Sequence, residues 1–116
     1  MKEIKLPISF RKVRGFEKYD IDNQGRVWSN NYNHTMRRKE MRQYLDKDGY
    51  PYVFFVINNI RTKKMVHRLV LENFIKQPTK KHQCNHKDGI RTNNNLSNLE
   101  WVTSQENAIH GWKVNG

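Results

Sequence analysis

Cysteine, acidic side chains and long apolar runs are what this sequence of 116 residues has least of. Cys84 is its single cysteine, which excludes an internal disulfide and a zinc site built on several thiolates. No apolar stretch approaches the roughly 18 residues of a membrane-spanning helix, and no signal-peptide core is evident. We therefore expect an intracellular protein that is neither secreted nor inserted in a membrane.

The charge is strongly one-sided, with 22 Lys and Arg residues against 11 Asp and Glu residues and a formal net charge of +11. Such a chain is attracted to polyanions, above all to the phosphate backbone of nucleic acid. A soluble domain that is merely basic is the alternative. An anionic membrane surface is less suitable, because the sequence has no basic amphipathic helix of useful length.

The length predicts one compact domain, residues 1–116, and the patterns predict an α+β fold. Residues 8–66 form the β-rich portion, in which a hairpin turns at 23–25 and residues 30–39 form a polar loop. A strand at 52–57, a turn at Asn58-Asn59 and a return strand at 61–66 complete it.

The second portion, residues 67–112, begins with an amphipathic helix predicted over 67–76 and stopped by Pro78. A short strand follows at 83–86, and a turn at Asp88-Gly89 leads through a loop to a second short strand near 99–102. Thr103 and Glu106 have the spacing of a capping box, which predicts a last helix closing near Gly111.

Three segments in this order resemble the HNH endonucleases of phage and homing type. They are "GFEKYDIDNQGRVWS", similar to an N-terminal module often fused to such nucleases, "VHRLVLENFI", and "NHKDGIRTNNNLSNLEWVTSQEN". The resemblance spans roughly residues 10–110 and implies the ββα-metal fold, also called the His-Me finger.

The resemblance also implies the residues of a site. His86 takes the position of the general base that removes a proton from the attacking water, and a histidine is mostly neutral at pH 7. Asn98 is the middle residue of the motif, which holds the loop so that the base is oriented. Asn107 takes the position of a metal ligand, and Asn85 that of the other ligand, where several relatives carry Asp.

The expected cofactor is a divalent ion, Mg²⁺ first and Mn²⁺ second, with no structural zinc. Because Asn85 and Asn107 are both neutral, we expect weak binding of the ion alone and a DNA phosphate oxygen that completes the site. Asp88 is a minor candidate for a substitute carboxylate. His67 is a candidate helix cap or DNA contact, and His110 a candidate phosphate contact or helix C-terminal cation.

The expected partner is double-stranded DNA, and the expected reaction is metal-dependent hydrolysis of a phosphodiester, leaving 5′-phosphate and 3′-hydroxyl ends. A monomer would nick one strand, whereas a double-strand break would need a homodimer or two events. If a phage encodes the chain, it acts in the bacterial cytoplasm. The candidate DNA contacts are Arg37, Arg38, Arg61, Lys63, Lys64 and Arg68.

Two rival hypotheses remain open. One is a DNA-binding protein that keeps the nuclease scaffold but has lost its metal through Asn85. The other is an RNA-binding module, which would present Tyr50, Tyr52 and Phe54 as exposed stacking platforms.

Overall fold

The computed structural model describes residues 8–30 and 38–106, which form three antiparallel sheets around one helix. The first sheet has the order β1-β2-β3-β4. Its strands are β1 (Phe10–Val13), β2 (Phe16–Asp22), β3 (Val27–Ser29) and β4 (Lys39–Glu40). The predicted hairpin is confirmed, since Tyr19 pairs with Ser29 and Ile21 with Val27. The outer strands β1 and β4 were not predicted, and Lys39 of β4 is the last residue of the predicted polar loop.

The second sheet has the order β5-β6-β7, with β5 at Tyr44–Leu45, β6 at Pro51–Ile57 and β7 at Ile60–Met65. The predicted hairpin turn is confirmed, and Asn58 and Asn59 adopt positive φ angles of 50° and 63°. Asparagine tolerates this left-handed conformation better than most residues, which explains the pair.

The helix, α1 (Val66–Phe74), begins one residue before the predicted start and ends two before the predicted end. It buries Val66, Leu69, Val70 and Leu71 and contacts strands of all three sheets. Ile75 is already extended, and its carbonyl accepts a hydrogen bond from Trp101 Nε1 at 2.9 Å. In the described part of the chain, no helix is long and apolar enough to cross a membrane.

The third sheet is the predicted strand pair, β8 (Gln83–His86) and β9 (Leu99–Val102), with a 3₁₀ helix at Leu96–Asn98 before β9. The predicted capping box is present. The Glu106 carboxylate accepts from Thr103 N–H at 3.1 Å, and Thr103 Oγ1 accepts from Glu106 N–H at 3.3 Å. Residues 104–106 are helical, and the rest of the predicted last helix lies outside the described residues.

One buried cluster joins the β-rich portion to the motif. Tyr19 stacks on Phe55 with ring centroids 4.1 Å apart, and its hydroxyl accepts from Val56 N–H at 3.0 Å, which fixes the first sheet against the second. The cluster consists of Val13, Tyr19, Ile21, Val27, Val53, Phe55, Val66, Leu69, Val70, Leu71 and Leu99. The fold is α+β, as predicted.

Candidate active site and nucleic-acid interface

His86 is the last residue of β8 and is 6% exposed. Its Nε2 lies 2.7 Å from Oδ1 of Asn94, which is also buried. An amide oxygen can only accept a hydrogen bond, so the proton of the neutral imidazole resides on Nε2. Nδ1 is therefore unprotonated, and its lone pair can accept a proton, as a general base must.

The loop between β8 and β9 is held by amide side chains. Asn98 Nδ2 donates to Asp88 Oδ1 and to the Asn93 carbonyl, both at 2.9 Å, and Asn98 Oδ1 accepts from Asp88 N–H at 3.1 Å. Asn93 Nδ2 donates to the other Asp88 oxygen at 2.7 Å. The geometry is suited to the loop-holding role that the resemblance implies for Asn98, which stays a prediction.

Asp88 is an acceptor within this loop. The amide of Asn93 and then the backbone N–H of Ile90 lower the pKa of its carboxyl, so the side chain is charged at neutral pH. Both carboxylate oxygens receive hydrogen bonds from the loop itself. Because both oxygens are already hydrogen-bonded within the loop, the structure gives no support to the prediction that Asp88 is a metal ligand.

The N-terminal hairpin forms the wall behind Asn94. Gly25 has a φ of +84°, and a Cβ there would lie 2.7 Å from the Asn94 carbonyl oxygen. The Asn23 carbonyl accepts from Leu96 N–H at 2.8 Å, and the Gly25 carbonyl accepts from Gln43 Nε2 at 2.8 Å. The β-rich portion thus positions the residue that orients His86.

Asn85, the predicted metal ligand, is 8% exposed and pairs with Glu100 across the third sheet. Its Nδ2 donates to Glu100 Oε2 at 3.2 Å. A carboxylate therefore lies beside a site that the sequence predicted to be neutral. The described residues contain no group of three or more His, Cys, Asp or Glu that could hold a metal ion, and Asn107 lies outside them.

The rings of His67 and Tyr50 lie beside His86. The centroid of His67 lies 5.3 Å from that of His86 and 5.2 Å from that of Tyr50. Arg91 covers the Tyr50 ring, with Cζ at 4.8 Å from the centroid, and donates to the Asp48 carbonyl. Burial lowers the pKa of His67 to about 4, with the neighbouring charges of His86 and Arg68 acting in the same direction.

On the outer face of the second sheet, Arg and Lys side chains lie over aromatic rings. Arg61 Cζ lies 3.6 Å from the Phe54 centroid, and Lys63 Nζ lies 4.3 Å from the Tyr52 centroid. We call this surface the basic–aromatic face: Arg42, Tyr44, Tyr52, Phe54, Arg61 and Lys63. Its rings are covered by cations, which favours contact with phosphates over stacking of bases.

The other predicted DNA contacts do not share this face. Lys64 points to the opposite side of β7, where its Nζ lies 5.0 Å from the Phe16 centroid. Arg68 pairs with Glu72 on the exposed side of α1, and Arg38 pairs with Asp20 at 3.0 Å. Tyr50 does not join Tyr52 and Phe54 in a stacking platform, because it lies against the two histidines. Arg37, Asn107 and His110 lie outside the described residues.

Three residues of the site were missed from sequence, namely Arg91, Asn94 and Glu100, and Tyr50 was named only as a stacking platform. Asn94 sits in a run of three asparagines that a turn alone could explain, and only the fold shows which of them faces His86. Glu100 could have been found by pairing β8 with β9, because that register sets it opposite Asn85.

Residues 64–109 match the family model described as HNH endonuclease. An uncharacterised HNH endonuclease of Acanthamoeba polyphaga mimivirus is 38% identical over 96 residues, which cover 83% of this chain and 28% of that protein. The DNA endonuclease I-HmuI of Bacillus phage SP01 is 30% identical over 102 residues, covering 87% of this chain and 56% of that protein.

The solved structure of the HNH homing endonuclease I-HmuI superposes on this chain with a TM-score of 0.81 at 28% identity. The match covers 92% of this chain and 59% of that one. The chain thus spans between 28% and 56% of the length of these two curated relatives. With the motif, the fold and these similarities in agreement, residues 64–109 of this chain are an HNH endonuclease domain.

Proposed function

We propose that this chain is a metal-dependent endonuclease that hydrolyses phosphodiester bonds of double-stranded DNA, with His86 as its general base. The observation that carries the proposal is the buried hydrogen bond between His86 Nε2 and Asn94 Oδ1 at 2.7 Å. It holds the imidazole in the one tautomer whose Nδ1 can accept a proton from water.

The residues around the base have separable tasks. Asn94 orients the ring and fixes its tautomer. Asn98 and Asp88 hold the loop that carries Asn94, and Nδ1 of His86 takes the proton as water attacks phosphorus. Arg91, which is held over Tyr50, offers a fixed positive charge near the base, suited to offset the charge that develops on the phosphate.

The donor set suits a hard divalent ion. Asn85 brings an amide next to His86, and Glu100 supplies a carboxylate 3.2 Å from that amide, so oxygen donors and one negative charge are present together. An ion such as Mg²⁺ or Mn²⁺, when bound, would polarise the scissile phosphate and stabilise the leaving oxygen. Glu100 also fixes the orientation of the Asn85 side chain through the amide nitrogen. Asn107 remains the second proposed ligand from the motif.

DNA binding is supported by charge and by surface shape. The net charge is +11, and the basic–aromatic face offers Arg42, Arg61 and Lys63 on a sheet. The related I-HmuI is described as binding and cleaving DNA. One base in one chain implies that a monomer nicks one strand, and a double-strand break would need a second copy or a second event.

The test is the conversion of supercoiled plasmid to open circles by wild type and His86→Ala, each with Mg²⁺, Mn²⁺ or EDTA. His82→Ala is the matched control, because His82 is on the same segment but bonds Thr79 Oγ1 at 2.8 Å instead of the site. We expect metal-dependent nicking by wild type and His82→Ala and none by His86→Ala, although all three retard the plasmid.

The second candidate is a DNA-binding protein without catalysis, favoured by the neutral side chain at Asn85. Wild type that retards the plasmid but never nicks it with either ion would establish this alternative and overturn the endonuclease proposal.

A further inference from the structure

His67 places a second imidazole beside His86. It is the second residue of α1, its ring is partly exposed, and its centroid lies 5.3 Å from that of His86. Tyr50 packs against both rings, at 5.2 Å from His67 and 6.2 Å from His86. The side chain thus belongs to the wall of the site, although the HNH resemblance implies no catalytic or metal-binding role for it.

The two nitrogens of His67 have different surroundings. Nδ1 is buried and has no hydrogen-bond partner among the residues that the structure describes. A proton on Nδ1 would bury an unsatisfied N–H, which is rare in folded proteins, whereas a proton on Nε2 avoids it. The low pKa of His67, about 4, means that the ring carries only one proton at neutral pH. Nε2–H is therefore the preferred tautomer, with its donor away from the buried edge.

The two histidines complement each other. His86 uses its N–H internally on Asn94 and keeps a basic nitrogen, while the buried Nδ1 of His67 has no partner among the described residues and leaves Nε2–H as the donor. A cation so close to His86 would oppose its uptake of a proton, whereas a neutral donor would not. A phosphate oxygen is an acceptor that suits such a donor.

We propose that His67 is a phosphate-binding residue, whose Nε2–H donates to a non-bridging oxygen of the phosphodiester held beside His86. This assignment rests on the proposed endonuclease function. It adds a neutral contact beside the base to the cationic ones.

Two substitutions separate hydrogen bonding from packing. His67→Phe keeps an aromatic ring against Tyr50 and His86 but has no donor, whereas His67→Gln keeps an N–H donor at a similar reach and loses the ring. We expect His67→Phe to slow single-turnover plasmid nicking by about 10- to 100-fold, the effect of losing one hydrogen bond to a charged group. We expect His67→Gln to remain within a few-fold of wild type.

Thermal unfolding of both variants is measured in parallel, so that a folding defect is recognised. Nicking by a folded His67→Phe at the wild-type rate would overturn the proposal. Greater loss in His67→Gln than in His67→Phe would also overturn it, because it would show that the ring acts through packing.

A measurement without catalysis separates this proposal from the endonuclease proposal. The NMR signals of the His67 ring are identified in the ¹⁵N-labelled full chain as those that disappear in His67→Phe. At pH 7 we expect them to show a proton on Nε2, and to shift when a short DNA duplex is added in EDTA. A proton on Nδ1, or an unchanged signal in bound protein, would contradict the assignment. If wild type never nicks DNA, the endonuclease proposal fails, but this spectrum still tests the phosphate contact.

Discussion

Replacing Asn94 by alanine removes the acceptor that orients the proposed base. Both partners of the 2.7 Å hydrogen bond are buried, so in Asn94→Ala the Nε2–H of His86 has lost its partner in the protein interior. An unsatisfied buried donor costs about 1–3 kcal/mol in the free energy of unfolding. For a domain of this size, each kcal/mol lowers Tm by about 4 °C.

The catalytic effect should be larger than the loss of stability suggests. Without Asn94 the ring can rotate or move its proton to Nδ1, and either change removes the lone pair that faces water. General base catalysis contributes about 10²–10⁴-fold, which is the upper limit of the loss. We expect Asn94→Ala to nick about 10- to 100-fold more slowly than wild type, and Asn94→Asp, which keeps an acceptor, to stay closer to it.

The assay is single-turnover nicking of supercoiled plasmid with Mg²⁺, below the Tm of every variant. Asn95→Ala is the matched control, because Asn95 is the next residue, is exposed and bonds only within the loop. Wild-type nicking by a folded Asn94→Ala would refute the reasoning, since the orientation of His86 would then not depend on this contact.

Three further predictions follow from the packing of the site. Gly25→Ala forces a Cβ to 2.7 Å from the Asn94 carbonyl oxygen at a φ of +84°, so both Tm and the nicking rate should fall. Unchanged Tm and an unchanged nicking rate would contradict this prediction. The pKa of His67 is about 4 in the folded protein, compared with an ordinary value of 6.5. Between pH 4 and pH 6.5 the unfolded state therefore binds more protons than the folded state. Stability should therefore fall as the pH drops from 6.5 towards 4, by no more than about 1.4 kcal/mol per pH unit, and urea unfolding should show a flatter dependence for His67→Phe. Burial raises the pKa of Cys84 to about 12, so its thiol should resist iodoacetamide at pH 8 until denaturant is added, and rapid labelling of the native protein would contradict this burial.

The elements that could be predicted from sequence are those with a strong local signal. The strand pair around Asn58-Asn59, the helix beginning near His67 and the capping box of Thr103 and Glu106 each have their own pattern of turn residues, periodicity or spacing. They form where the local preferences of the chain agree with the fold.

The short strands were missed because pairing, not composition, makes them strands. The strands β4 (Lys39–Glu40) and β5 (Tyr44–Leu45) have two residues each, too few for an alternating pattern. They become extended because β3 and β6 offer them hydrogen-bonding edges. Such strands depend on tertiary contacts that a local reading of the sequence does not contain.

The residues of the site also fall into those that the sequence indicated and those that only the structure shows. The motif identified His86, Asn85 and Asn98, whose roles are tied to positions along the chain. Asn94 became visible only when the loop folded back on His86, and Glu100 only when β8 paired with β9. Partners supplied by loop closure and strand register must be read from the structure.

The most direct test of the central claim is the single-turnover nicking rate of wild type and His86→Ala at matched occupancy of the plasmid, set from binding measured in EDTA. If His86 is the general base, the rate with Mg²⁺ falls by about 10²-fold or more in His86→Ala while DNA affinity is unchanged. Equal rates for the two proteins at equal occupancy would contradict the account.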